Sequence, residues 1–153
     1  MGGLVGYFKG ARGVRQGDPL SPYLFVIVMN ALSKFLDAAA MHEVFLYHPK
    51  CKKVHLTHLC FADDLLIFTK GDVESVIGVQ KVLQLFYSYS GLQINNAKCE
   101  MYYSGVSRED LMAIQNQTGF RLGTLLVRYL RVPLVTRRLT DKDCTPLVDK
   151  ITA

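Results

Sequence analysis

At 153 residues, half of them hydrophobic and one fifth charged, the chain has the length and apolar content of one folded domain with a sizeable core. A disordered or low-complexity polypeptide is thereby excluded. An excess of 18 Lys+Arg over 13 Asp+Glu leaves a formal charge of +5, which favours polyanionic partners and is silent on fold.

In chain order, the first twenty residues interleave Gly2, Gly3, Gly6, Gly10, Gly13 and Gly17 with Lys9, Arg12 and Arg15, a pattern of turns and close backbone approach. Ser21-Pro22 then starts a helix, with serine at the cap and proline in the first turn, running through Tyr23–Met29 toward Ala40. Its first two turns are apolar all round, which predicts burial of that end. Lys34 and Asp37 predict a surface position for the later half. The longest apolar run, residues 22–29, is far short of the ~20 residues that span a bilayer. The first residues, Met1-Gly2-Gly3-Leu4, also lack the basic and apolar regions of a secretion signal. The expectation is an intracellular protein, nuclear or cytoplasmic, with no membrane partner.

Lys50, Lys52 and Lys53 mark a basic loop. Two strand-like runs follow, Val54–Phe61 and Leu65–Phe68, separated by Ala62, Asp63 and Asp64, which are few enough for a tight hairpin turn. The second run does not alternate, which predicts a strand covered on both faces. Cys51, His55, His58 and Cys60 cluster here, but their spacings match no standard zinc finger, and His55 and His58 would face opposite sides of a strand. Solvated histidines and a buried cysteine are expected instead. Cys51, Cys60, Cys99 and Cys144 are widely spaced with no C-x-x-C, which argues against a disulfide scaffold.

Asp72 caps a helix whose stripe is Val76, Val79, Leu83 and Phe86, closed by Gly91 at C′. Gln93–Tyr103 reads as a strand, or two short ones around Asn95-Asn96. Ser107 and Asp110 form a capping box for a helix through Gln117, stopped at Gly119. Val127–Val135, interrupted by Pro133, reads as an edge strand or hairpin, and Asp143–Ala153 opens another helix. The sum is α+β: one small antiparallel sheet backed by helices.

Asp63-Asp64 is the sharpest chemical feature. Two adjacent carboxylates at an apolar turn repel each other and resist desolvation, and a divalent cation offsets both costs. Hard oxygen ligands of this kind suit Mg²⁺ alongside phosphates and water, although paired Asp is also a common turn former.

Phe61-Ala62-Asp63-Asp64 resembles motif C of reverse transcriptases. Upstream, Arg12-Gly13-Val14-Arg15-Gln16-Gly17-Asp18-Pro19-Leu20-Ser21-Pro22-Tyr23-Leu24-Phe25 resembles motif B of non-LTR (LINE-type) retroelement polymerases. Gly91-Leu92-Gln93-Ile94-Asn95-Asn96-Ala97-Lys98 is similar to motif D, and Tyr129-Leu130-Arg131-Val132-Pro133-Leu134 to motif E, the primer grip. The four motifs stand in the family's order. They imply an antiparallel-sheet palm fragment in a single partial domain over residues 1–153. Motifs B, C and D fall in about 10–128, and motif E with the start of the thumb connection in 129–153.

The resemblance implies RNA-directed DNA synthesis by two-metal nucleotidyl transfer, with an RNA template, a DNA primer and deoxynucleoside triphosphates as partners. Asp63 and Asp64 would be the catalytic and metal-binding pair, holding Mg²⁺ or Mn²⁺. Arg15, Gln16 and Gly17 would line the nucleotide and template, Lys98 the pyrophosphate, and Tyr129 and Leu130 the primer. Arg12, Arg15 and the Lys50–Lys53 loop offer contacts to nucleic-acid backbone, or are simply solvated.

Two departures follow. The family's third carboxylate, on motif A, precedes motif B, and Met1–Ala11 contain neither Asp nor Glu. The metal site is therefore expected to be incomplete, fingers and thumb to be missing, and the 153 residues to be inactive alone. Leu65–Phe68 and the helix after Pro22 are expected to be surfaces for the missing strand. Arg131 stands where the family usually has a glycine in a tight turn. The alternative is a non-catalytic nucleic-acid-binding or interaction remnant, held by the basic residues and apolar flank.

Overall fold

Proline lacks the N–H that the first helical turn leaves unused, and Pro22 duly lies in the first turn of α1, Ser21–Met41. This is a computed structural model; it describes residues 17–62, 64–124, 128–129, 132–133, 140, 145 and 148–149. Ser21 is the first helical residue and not the cap. Leu20 takes the cap position, and Asp18 steadies the entry by accepting the Leu20 N–H on its carboxylate at 2.8 Å and the Ser21 N–H on its carbonyl at 3.0 Å.

The chain divides into two units, residues 1–70 with 78–94, and residues 71–77 with 95–153. In the first, the core gathers Leu32, Leu36, Ala39, Ala40 and Phe45 with Val79, Val82, Leu83 and Phe86. Burial along α1 is therefore the reverse of the expectation. Tyr23, Val26 and Ile27 are 70%, 66% and 65% exposed, whereas Leu36 is 0% exposed. Apolar character alone does not bury a side chain; a matching surface does. The stripe Leu32-Leu36-Ala39 at helical spacing meets such a surface in α2, Val73–Ser90. Asp37 stays half-buried beside that stripe and Lys34 is exposed. By length and composition α1 is also long and apolar enough to cross a bilayer, which an eight-residue run does not register. Its later half is a core helix of this unit.

α2 starts as expected, with the Asp72 carboxylate accepting the Ser75 N–H at 2.8 Å. It ends at Gly91, whose φ of 76° takes the left-handed conformation and whose N–H donates to the Tyr87 carbonyl at 2.8 Å. Gly78 lets α2 lie directly on the chain after α1, because a Cβ there would collide with the Val44 carbonyl oxygen and sit 3.2 Å from the Phe45 Cβ. Phe35 closes the same face edge-on against Phe86, at 6.5 Å between ring centres.

β1, His58–Phe61, pairs antiparallel with β2, Asp64–Ile67, in the register His58↔Ile67, Leu59↔Leu66, Cys60↔Leu65 and Phe61↔Asp64. The ladder continues through the Phe68 N–H to the Thr57 carbonyl, and the Lys70 N–H reaches the Leu46 carbonyl. The strand expected from Val54 begins only at His58. Lys52–Val54 is a single 3₁₀ turn, and His55 at φ 50° redirects the chain. Leu65–Phe68 is half-buried at every residue, with no alternation between the two faces and none of the four fully buried.

In the second unit, the expected strand in Gln93–Tyr103 is mostly replaced. Asn96–Lys98 forms a 3₁₀ turn capped by the Asn95 side chain, which accepts the Ala97 N–H at 3.1 Å, and only β3, Glu100–Met101, is extended. β3 pairs in parallel with β4, Arg121–Leu122. Parallel pairing needs a crossover, and α3, Arg108–Thr118, supplies it. The capping box forms as read, with Ser107 Oγ accepting the Asp110 N–H at 3.0 Å. Gly119 at φ 70° closes the helix. β5, Arg128–Tyr129, and β6, Val132–Pro133, make an antiparallel pair. The class is thus mixed α and β; among the described residues the strands form three two-stranded pairs, two antiparallel and one parallel. Of the helix expected over 143–153, only Thr145, Val148 and Asp149 are described, all helical; the rest lies outside the described residues.

Candidate active site

The site builds on the β1–β2 hairpin. Pairing of Phe61 with Asp64 leaves two residues to connect the strands, and such short connections favour positive φ. Ala62 supplies it at φ 51°. Asp64 opens β2 with its side chain exposed, and Phe61 is 58% exposed opposite it. The Cys60 thiol is exposed and donates to the Ala62 carbonyl at 3.8 Å, and Cys51 is half-buried, so neither is the buried cysteine expected here. Asp63, the principal catalytic expectation, lies outside the described residues, as do Arg12, Arg15, Gln16 and Leu130.

Gly17 is exposed at φ 86°, a conformation only glycine adopts without strain, with nothing within 4 Å of a Cβ placed there. That accords with a backbone left open beside the helix start. Lys98 is exposed in its 3₁₀ turn, and Tyr129 is half-buried in β5. Gly17 and Asp64 fall in the first unit, Lys98 and Tyr129 in the second. Lys50, Lys52 and Lys53 are exposed, as the basic loop predicted.

The two histidines of the Cys51–Cys60 segment have different surroundings. His55 meets Tyr47 edge-on at 5.7 Å, whereas His58, expected to be solvated, has a side chain only 13% exposed and faces Ser33 and Thr57. Burial pushes the Cys51 and Cys99 thiols above their ordinary range. Among the described residues no group of three His, Cys, Asp or Glu is placed to hold a metal ion. The donor set at the turn, an exposed Asp64 carboxylate with Asp63 next in sequence, fits one wall of a hard-cation site. Reading the sequence for ligands missed the Ser33–Asp37–Thr57–His58 hydrogen-bond network. Its sequence signal is the spacing of Ser33 and Asp37, four apart and so on one face of α1.

Comparison with known proteins places residues 2–134 in the family described as reverse transcriptase (RNA-dependent DNA polymerase). Over 92 residues, 60% of its length, the chain is 37% identical to a retrovirus-related Pol polyprotein from the type-2 retrotransposable element R2DM of Drosophila melanogaster. Over 91 residues, 57% of its length, it is 36% identical to one from the type-1 retrotransposable element R2 of Popillia japonica. These matches span 8% and 13% of the two polyproteins. No solved structure matches the chain.

Proposed function

Because the chain belongs to the reverse transcriptase family and is a partial domain of a LINE-type retroelement, we propose that it is the palm segment of an RNA-directed DNA polymerase. The observation that carries this reading is the hairpin register Phe61↔Asp64, which puts an exposed carboxylate at the tip of a two-stranded ribbon.

In this reading Asp63 and Asp64 hold Mg²⁺, or Mn²⁺ in its place. When bound, such ions activate the primer 3′-hydroxyl and stabilise the leaving pyrophosphate. The backbone at Gly17, with Arg15 and Gln16 before it, meets the nascent base pair. Lys98 is assigned to the pyrophosphate, and Tyr129 and Leu130 to the primer, on the family motifs alone. The partners are an RNA template, a DNA primer and deoxynucleoside triphosphates, and the setting is intracellular, nuclear or cytoplasmic.

The 153 residues by themselves hold only two adjacent carboxylates at the turn, so a primer-extension assay on the purified chain is expected to give no product. Asp63-dependent synthesis there would overturn that expectation. Substituted for the matching segment of the Drosophila polyprotein, the chain is expected to support extension. In that chimera Asp63→Asn should lower the rate by about a thousandfold, several kcal/mol of lost charge stabilisation. Unchanged extension in Asp63→Asn would sink the assignment.

A second reading, a non-catalytic nucleic-acid-binding remnant, is favoured by the exposed Lys50, Lys52 and Lys53. Salt-sensitive binding of an RNA–DNA hybrid, combined with a chimera inactive from the outset, would select it.

A further inference from the structure

His58 opens β1, and its imidazole is enclosed between that strand and α1. Its Nε2 lies 2.8 Å from the Ser33 Oγ, and the Ser33 hydroxyl reaches the Met29 carbonyl at 3.2 Å. Its Nδ1 lies 2.8 Å from the Thr57 Oγ1, and the Thr57 hydroxyl reaches the Asp37 Oδ1 at 2.6 Å. The direct separation from His58 Nδ1 to Asp37 Oδ1 is 4.0 Å, so the threonine is the bridge. Each hydroxyl has one hydrogen. Each therefore donates either to its α1 acceptor or to the imidazole, and the His58 tautomer sets which ring nitrogen donates and which accepts. Thr57 itself is 1% exposed, so its hydroxyl is satisfied within the network, while the Asp37 carboxylate keeps one side to water.

The network joins the start of β1 to α1 at two points one helical turn apart, Ser33 and Asp37. A single contact would let the strand pivot; two fix its position along the helix. α1 in turn begins four residues after Gly17, and β1 ends at Phe61, beside Ala62 and the paired carboxylates.

We propose that His58 is a positioning residue for the β1–β2 turn: bridging Ser33 and the Thr57–Asp37 pair, it sets the strand on α1 and thereby the place at which the Asp64 carboxylate is presented. This rests on the polymerase reading for its consequence but not for its geometry.

The test follows backbone amide resonances of the 153-residue chain, with Mn²⁺ alone as the probe of the turn. In His58→Ala, the amides of Leu59–Ala62 and Asp64–Leu66 should move while those of Val82–Phe86 in α2 stay. Equal broadening of the turn amides should then need about tenfold more Mn²⁺, the usual effect of losing a group that orients a metal ligand. His58→Gln keeps an amide donor toward Ser33 and should restore most of both effects. Ser33→Ala removes one attachment and should give the same changes at smaller size. If His58→Ala does not fold, Ser33→Ala decides by the same two readouts.

Unmoved turn amides, or α2 amides displaced as far as those of the turn, would overturn the proposal in favour of general packing. Should the wild-type turn ignore Mn²⁺ while the variants still displace it, the metal-binding reading fails and the positioning role stands.

Discussion

Alanine at φ 51° brings its Cβ against the backbone, and Ala62 accepts this strain immediately before the two aspartates. A β-branched side chain tolerates that region worse. Ala62→Val is therefore expected to destabilise the chain by about 1 kcal/mol or more, while Ala62→Gly is neutral or mildly stabilising, as read by denaturant unfolding. Equal stability for valine and alanine would show that the turn relaxes. A second residue-scale effect sits at Tyr102, whose hydroxyl donates to the Glu100 carboxylate. That hydrogen bond, then burial, then the Glu100 charge push Tyr102 up from 10.0 to about 12. The protonated phenol is the form favoured by folding. Its contribution is present below about pH 10 and is lost as pH rises through about 12. A tyrosinate absorbance titration should show a late step that is lost in Tyr102→Phe, and Glu100→Gln should return it toward the ordinary range. A late step that survives Glu100→Gln would assign the shift to burial.

At the scale of elements, the sequence was most legible where one residue type answers one backbone need. Asp72, Gly91, Ser107 and Gly119 all stand where their capping chemistry put them. Strands were less legible, because a two-residue strand such as β3 has no periodicity to read, and its parallel pairing depends on the α3 crossover. Gly78 shows packing overriding propensity. Alanine in a helix interior is normally better than glycine, yet here the Val44 carbonyl occupies the space. Gly78→Ala is expected to cost about 1–3 kcal/mol of overpacking, checked by the shift of the thermal transition. A rise in the transition would mean that the 44–45 segment gives way freely.

At the scale of the molecule, enclosure and not apolar character decides what a substitution costs. Leu36, fully enclosed, should cost about 2–5 kcal/mol on truncation to alanine. Ile27, 65% exposed, should tolerate serine within about 0.5 kcal/mol in the same urea-unfolding assay. Comparable losses at both positions would show that the early turns of α1 are buried in solution. The matched segments span 8% and 13% of the two polyproteins.

The caps of α2 and α3 and the β1–β2 hairpin were determined by sequence alone, since each is set by residues within a few positions of one another. Tertiary structure alone decided which half of α1 is buried and that His58 turns inward to Ser33 and Thr57 instead of toward solvent or metal. Both are settled by which distant surface supplies a complementary partner: α2 for the leucine stripe, and α1 for the imidazole.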